Sequence, residues 1–240
     1  MSVAATVVPS SREASLLPAA DANATASVAL RIMPLGASVT WGVGSTTGSS
    51  YRKDLRDLLV AAGNTVDMVG EVKHGSDFTD NESESFSGYT LEQIAEKAAA
   101  AVPKYKPNLV LIDAGTNNCN RGGTVADLGR KMTALLEGIF AASKGASVVL
   151  ATILANPDAK QDACRVDANR QYAALVEDLA AKGRKVVLAD MRSAQAPTTR
   201  DLADGRHPND AGYAKMASVW FQGIQLVISK GLLAAAEEAT

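Results

Sequence analysis

The chain predicts a three-layer α/β sandwich, a parallel sheet covered by helices on both faces. Five short apolar runs rich in β-branched residues recur along it, and each is followed by a segment whose apolar residues repeat at helical spacing. Strands separated by helices must run parallel, and right-handed crossovers carry those helices to both faces of the sheet. At 240 residues the chain has room for one sizeable core and little for two. A single domain is therefore expected over 29–240. Ahead of it, residues 1–28 are rich in Ala, Ser, Thr and Pro without sustained periodicity and read as a loose N-terminal arm.

The predicted strands are Ala29–Leu35, Thr65–Val69, Leu109–Ala114, Ser147–Leu154 and Lys185–Asp190. After the first, Tyr51, Leu55, Leu58, Leu59 and Ala62 form one stripe that ends at Gly63-Asn64, a C-terminal stop. After the second, a polar, acidic connection over 71–87, with Asp77, Asp80, Glu82 and Glu84, reads either as a rim or lid over a site or as a solvated loop. Thr90-Leu-Glu-Gln93 then has the form of a capping box ahead of Ile94 and Ala98, and Thr124-Val-Ala-Asp127 is a looser version ahead of Leu128, Met132, Leu135 and Ile139. Asp167 is expected to cap a helix carrying Leu175, Val176 and Leu179 up to Gly183. Asn209 or Asp210 caps the last helix, where Tyr213, Met216, Ala217, Trp220, Ile224 and Val227 share a face.

Composition removes several classes of function. The net charge of −2 leaves no basic stripe, so nucleic acid is not an expected partner. No run approaches the roughly 18 apolar residues that span a bilayer. Met1-Ser-Val-Ala-Ala-Thr6 lacks the basic start and long apolar centre of a secretion leader, which fits either a secreted chain whose leader is gone or a cytoplasmic one. The even pair Cys119 and Cys164, with glycosylation patterns at Asn23-Ala-Thr25 and Asn81-Glu-Ser83, favours secretion. The glycines of Gly42-Val-Gly44-Ser-Thr-Thr-Gly48 are spaced GxGxxxG and begin too far past the strand to cradle a dinucleotide phosphate. Two histidines and two separated cysteines match no zinc spacing, so neither a metal nor a cofactor is expected. A monomer is the expectation for oligomeric state, which the sequence otherwise leaves open.

In open α/β sheets ligands bind outside the carboxyl ends of the strands. Ser38 follows the first strand there, Gly88 follows the second after the long connection, Asn117 follows the third, and Asp204 and His207 follow the fifth. In Asp204-Gly-Arg-His207 the carboxylate stands three residues ahead of the imidazole, across a turn closed by Pro208. Asp204 can accept the Nδ1–H there and leave Nε2 to take a proton from Ser38. His74, the other histidine, has no such carboxylate nearby in sequence. The Asn117 side-chain NH₂, the Gly88 backbone N–H and the Ser38 N–H would supply three donors to an oxyanion. Trp41, Phe86 and Tyr89 lie close in sequence to these residues and offer either a platform for a sugar ring or acyl chain, or apolar packing. Each residue alone has an ordinary reading as a loop serine, a turn glycine or a turn asparagine; four loops meeting at one sheet edge is what gives the set its force. The GxSxG elbow of α/β-hydrolases is absent, since Thr40 occupies its second glycine position. A catalytically silent carbohydrate-binding protein on the same fold is the non-enzyme alternative.

The blocks Gly36-Ala-Ser38-Val-Thr40, Gly88, Gly115-Thr-Asn117-Asn118 and Asp204-x-x-His207-Pro208 resemble, in order and rough spacing, the four blocks of the SGNH, or GDSL-like, hydrolases. The resemblance covers residues 30 to about 230. It implies a flavodoxin-like, five-stranded parallel sheet of order 2-1-3-4-5, Ser38 as nucleophile, Gly88 and Asn117 as oxyanion donors, and a triad completed by His207 and Asp204. Within that superfamily, Pro34-Leu-Gly-Ala-Ser-Val-Thr-Trp-Gly42 and Tyr51-Arg52 are similar to carbohydrate esterase family three, a microbial, often fungal, group associated with deacetylating xylan. This implies a serine esterase for short acyl esters, with acetylated xylan or another acetylated carbohydrate as substrate and a general short-chain carboxylesterase as runner-up. Ala37 stands where the superfamily block usually carries Asp, and Phe86 where the subfamily tends to carry His. In the implied strand order the third and fourth strands are neighbours, so Cys119 and Cys164 can meet in a disulfide, the alternative being two free thiols. Such a bond would close a loop of about 45 residues, worth roughly 4 kcal/mol by chain entropy.

Overall fold

The computed structural model describes residues 28–120 and 125–236. The N-terminal arm up to residue 27, the sequon at Asn23 and the possible cap at Thr124 lie outside the described residues. The predicted βα alternation is present. In chain order, β1 (Ala29–Gly36) leads through the single turn α1 (Ser38–Trp41) to α2 (Arg52–Ala61), β2 (Thr65–Met68), β3 (Val72–Lys73) and β4 (Glu82–Ser85). There follow α3 (Leu91–Tyr105), β5 (Leu109–Asp113), α4 (Thr116–Asn120), α5 (Leu128–Ala142) and β6 (Ser147–Ala151). The chain closes through α6 (Ala159–Ala181), β7 (Val186–Ala189) and α7 (Asp210–Ser229).

The five strands read from apolar runs are β1, β2, β5, β6 and β7. All are parallel and pair in the order β2-β1-β5-β6-β7, which is the order 2-1-3-4-5. The sheet has two further strands, and the expectation of five is corrected accordingly. The connection over 71–87 is neither a plain lid nor a solvated loop. Its Glu82–Ser85 stretch runs parallel to β1, with Leu35 opposite Glu84 and Gly36 opposite Ser85, and β3 pairs antiparallel to it. β1 thus has β2 beside its first half and β4 beside its last two residues. Hydropathy hides β4 because its buried residues are polar. Ser83 and Ser85 are fully buried and bond hydroxyl to hydroxyl at 2.7 Å, while the buried Glu84 accepts the Glu71 N–H at 2.9 Å. Hydrogen bonding to partners close at hand offsets the desolvation that would otherwise exclude such a strand from the sheet.

Two cores flank the sheet. One packs Met33, Leu35, Val110, Ile112, Val148 and Leu150 beneath α3, α5 and α6; the other packs Leu30, Ile32, Leu109, Leu111, Val149 and Val187 beneath α2 and α7. Alternate residues of each strand feed alternate faces, as the pleat requires. Trp220 and Met216 of α7 are completely buried in the second core, and Leu58 of the α2 stripe is exposed instead.

The helix starts show where local chemistry prevails. Gln93 Oε1 accepts from Thr90 N at 3.0 Å, as the capping box predicts, and Asn209 rather than Asp210 caps α7 by accepting from Gly212 N at 2.9 Å. Asp167 caps nothing. α6 begins eight residues earlier, at Ala159, where Asp158 accepts from Gln161 N at 2.8 Å. The first turns of α6 are almost entirely polar or exposed and carry no apolar stripe to reveal them, and Asp167 in the helix interior pairs with Arg170 and Gln171. At α5 the Asp127 carboxylate pairs with Arg130 and Lys131 and makes no cap bond.

Candidate active site

Ser38, Gly88, Asn117, Asp204 and His207 all follow the carboxyl ends of parallel strands. Ser38 is the first residue of α1, two positions past the end of β1, and is 7% exposed. Gly88 follows β4, not a long loop from β2, with φ at +84°, a conformation that favours glycine. Asn117 belongs to α4, directly beyond β5.

Ser38 Oγ–H lies 3.0 Å from His207 Nε2, and His207 Nδ1–H donates to Asp204 Oδ2 at 2.7 Å. Asp204 Oδ1 also accepts the backbone N–H groups of Arg206 and His207 at 2.9 and 2.8 Å. Partial burial alone would raise the Asp204 carboxyl, but the imidazole and the two backbone donors outweigh it and hold the group at about 2. Asp204 is therefore ionised and acceptor-only near neutral pH. Its partner nitrogen must carry a hydrogen, which in the neutral ring leaves Nε2 as the acceptor facing Ser38. The arrangement is that of a nucleophile, a general base and an orienting carboxylate.

The turn bearing His207 is braced from the loop after α1. Thr46 donates from its backbone N and its hydroxyl to the Asp210 carboxylate, at 2.9 and 2.8 Å, and Tyr213 Oη–H donates to Val43 O at 2.6 Å. Gly44, at φ +91°, passes so close that an added Cβ would stand 2.5 Å from Pro208 O and 3.2 Å from His207 Cβ. Gly44, one of the glycines that failed as a phosphate loop, thus serves close backbone approach to the imidazole turn.

On the opposite side, Asn117 Nδ2 donates to Tyr89 O at 2.8 Å, tying α4 to the turn that carries Gly88. An amide carries two N–H groups, so one remains beyond this bond. Asn118 strengthens the junction by accepting from Leu91 N and donating to Glu92, both at 2.9 Å. Cys119 and Cys164 form the disulfide, Cα to Cα 5.7 Å, which joins α4 to α6. Beside it the buried Arg165 donates to Leu154 O and to Asn120 Oδ1, both at 3.1 Å.

Of the three aromatic candidates, Phe86 and Tyr89 stack on each other with ring centroids 5.1 Å apart, and Lys97 Nζ stands 4.3 Å over the Phe86 ring. Trp41 stacks instead on His74 at 4.1 Å. Nδ1 of His74 lies 2.9 Å from Trp41 O and 3.0 Å from Gly48 O, two acceptors, so it carries the hydrogen. Arg52 also belongs to this region, although nothing in its sequence position marks it. Its guanidinium is fully buried and donates to the carbonyls of Thr40, Trp41, Gly48, His74 and Asn81. Arg52 follows Tyr51 in a run noticed only for its resemblance, and no spacing rule marks a residue that bonds backbone carbonyls. Among the described residues no group of three His, Cys, Asp or Glu side chains is gathered as a metal would need, and no helix is long and apolar enough to cross a membrane. A groove of about 450 Å³ between α3 and α5 is lined by none of Ser38, Gly88, Asn117, Asp204 and His207.

With this geometry in hand, comparison with known proteins assigns the family. The model of the GDSL-like Lipase/Acylhydrolase family matches residues 35–215. A multidomain esterase of Ruminococcus flavefaciens is 31% identical over 242 aligned positions, which include 88% of this chain and 30% of that protein. The chain thus spans about a third of that relative's length. Among solved structures, the family 3 carbohydrate esterase of Clostridium thermocellum superposes with a TM-score of 0.76 at 27% identity, covering 84% of this chain and 98% of that one. A family 3 carbohydrate esterase of Talaromyces cellulolyticus gives 0.73 at 26%, covering 83% and 99%. An acetyl esterase solved as an S10A mutant with acetate ion gives 0.72 at 26%, covering 84% and 99%. The chain belongs to the GDSL-like lipase/acylhydrolase family.

Proposed function

We propose that the chain is a serine esterase that removes short acyl groups, acetyl first among them, from a carbohydrate such as acetylated xylan. The observation that carries this reading is the unbroken sequence of bonds from Ser38 Oγ through His207 to the Asp204 carboxylate. Ser38 attacks the ester carbonyl while His207 Nε2 takes its proton; His207 returns that proton to the departing alcohol, and a water repeats the sequence on the acyl-enzyme. Asp204 keeps the ring in the required tautomer and stabilises the imidazolium. Ser38 N–H, Gly88 N–H and the second N–H of Asn117 receive the negative charge that develops on the carbonyl oxygen.

The carbohydrate assignment draws support from the family 3 esterases and the acetyl esterase that superpose on the chain. Phe86 and Tyr89, stacked on the Gly88 turn, are the side chains we assign to the substrate's ring or acyl group. The disulfide and the carbohydrate-esterase relatives support a place outside the cell. Both cores are built on one sheet, which supports the reading of one catalytic domain.

The test is hydrolysis of p-nitrophenyl esters from acetate to octanoate, wild type beside Ser38→Ala, followed by acetate release from acetylated xylan. Activity highest on acetate, absent in the variant and present on xylan is the expected result. Equal rates across chain lengths with no xylan activity would favour a general carboxylesterase. Activity surviving Ser38→Ala would overturn the triad, and a folded protein inert on every ester would favour a silent binding protein.

A further inference from the structure

α1 is a single helical turn, and a turn this short does not hold itself together in water. Its amino end begins with Ser38, and the residue before it, Ala37, has no polar side chain to cap it. The carbonyl end is closed by other parts of the chain. Ser38 O accepts from Gly42 N and Val43 N, each at 3.0 Å. Val39 O accepts from Ser50 Oγ at 2.7 Å, and Thr40 O from Arg52 Nε at 3.1 Å. Trp41 O accepts from His74 Nδ1 at 2.9 Å and Arg52 Nη2 at 3.4 Å. Between Ser50 and Arg52, the Tyr51 hydroxyl lies 3.3 Å from Thr40 Oγ1. Every carbonyl of the turn has a donor, and three of the donors are side chains.

Two of these side chains are held at a cost. Ser50 sits at φ +58°, where a non-glycine residue is strained, and it is 5% exposed. Arg52 is completely buried, and among the described residues no carboxylate forms an ion pair with it. Burial pushes its guanidinium down to about 10. An apolar side chain of similar size would fill the same space without desolvating a charge. What Arg52 provides, and an apolar residue cannot, is five donor directions fixed in one plane, aimed at α1 and at the loops carrying Gly48, His74 and Asn81.

We propose that Ser50, Arg52 and His74 are positioning residues for the reaction: they cap the carbonyl end of α1 and so hold Ser38, at its other end, within reach of His207 and with its N–H turned toward the oxyanion. The proposal rests on the reading of Ser38 as nucleophile. It accounts for the strain at Ser50, since from that backbone conformation the hydroxyl donates to Val39 O. It also gives His74 a role, holding Trp41 O and Gly48 O together without taking part in proton transfer.

Ser50→Gly separates positioning from folding, because glycine accepts φ +58° and only the small CH₂OH group is lost. The expected result is a melting temperature equal to or above wild type, kcat on p-nitrophenyl acetate about 10-fold lower, and KM within about 2-fold, as a small misplacement of a reacting group requires. Phosphonylation of Ser38 by an alkylphosphonate ester should slow by the same factor. His74→Ala should lower kcat likewise, and His74→Asn, whose amide N–H can stand in for Nδ1–H, should recover part of it. Wild-type kcat in folded Ser50→Gly, or identical losses in His74→Ala and His74→Asn, would overturn the proposal while leaving the esterase reading intact. Ser38→Ala is assayed alongside, and full activity in that variant would bring down both.

Discussion

Asp113 ends β5 opposite Gly36, is 6% exposed, and its Oδ2 has no hydrogen-bond partner among the described residues. Burial pushes its carboxyl up to about 7, and the attraction of Arg165 opposes this only in part. An unfolded Asp titrates near 3.9, so between about pH 4 and 7 the unfolded chain has released a proton that the folded chain retains. Fewer protons bound in the unfolded state means stability falls as pH rises across that window. The penalty is complete above pH 7, and at about 1.4 kcal/mol per pH unit it amounts to about 4 kcal/mol. Asp113→Asn removes the ionisation at almost constant shape. Urea unfolding at pH 4, 6 and 8 should show the variant close to wild type at pH 4 and increasingly more stable above it. At pH 8 the gain should approach 4 kcal/mol, roughly 10 °C in melting temperature. A stability difference of one size and sign at all three pH values would refute the reasoning, as would a variant weaker than wild type at pH 8.

Two other consequences are open to measurement. Asn117→Ala should lower kcat about 10²-fold with little change in KM, since a donor to the oxyanion acts in the transition state; an equal loss in substrate binding would count against that role. Replacing Cys119 and Cys164 with Ser should cost roughly 4 kcal/mol in urea unfolding under the chain-entropy relation, and loosen the α4 junction that ties Asn117 to the Gly88 turn. Unchanged stability would show that the reduced, unfolded chain is already restricted.

The parts of the fold legible in the sequence are those where local pattern and tertiary environment agree. The strands β1, β5 and β6 are buried on both faces, so their apolar runs are nearly unbroken. Thr90 and Asn209 cap helices as their positions suggest, because each stands directly ahead of an amphipathic run. β4 and the first turns of α6 were hidden because neither carries an apolar stripe: the buried residues of β4 are polar, and those turns are mostly polar or exposed. One Glu84 oxygen accepts from Glu71 N, and the start of α6 is capped by Asp158, which accepts from Gln161 N. Asp204 and His207 were visible because three residues and a proline make a closed local turn. Arg52 and His74 were not, because their acceptors are carbonyls, which every residue carries.

The sequence by itself determined the alternation of strands and helices, and hence a parallel sheet with its loops gathered at one edge. It also determined which serine, histidine and aspartate stood in those loops, since periodicity and short turns are local properties of the chain. Tertiary structure alone decided that Ser38 Oγ lies 3.0 Å from His207 Nε2 across 169 residues, and that Asn117 bonds to Tyr89. It alone decided that a buried arginine and a serine at positive φ bond to the carbonyls of the turn that begins at Ser38. Those distances arise where several loops, each stable only against the others, close on one another, and no pattern within any one segment encodes them.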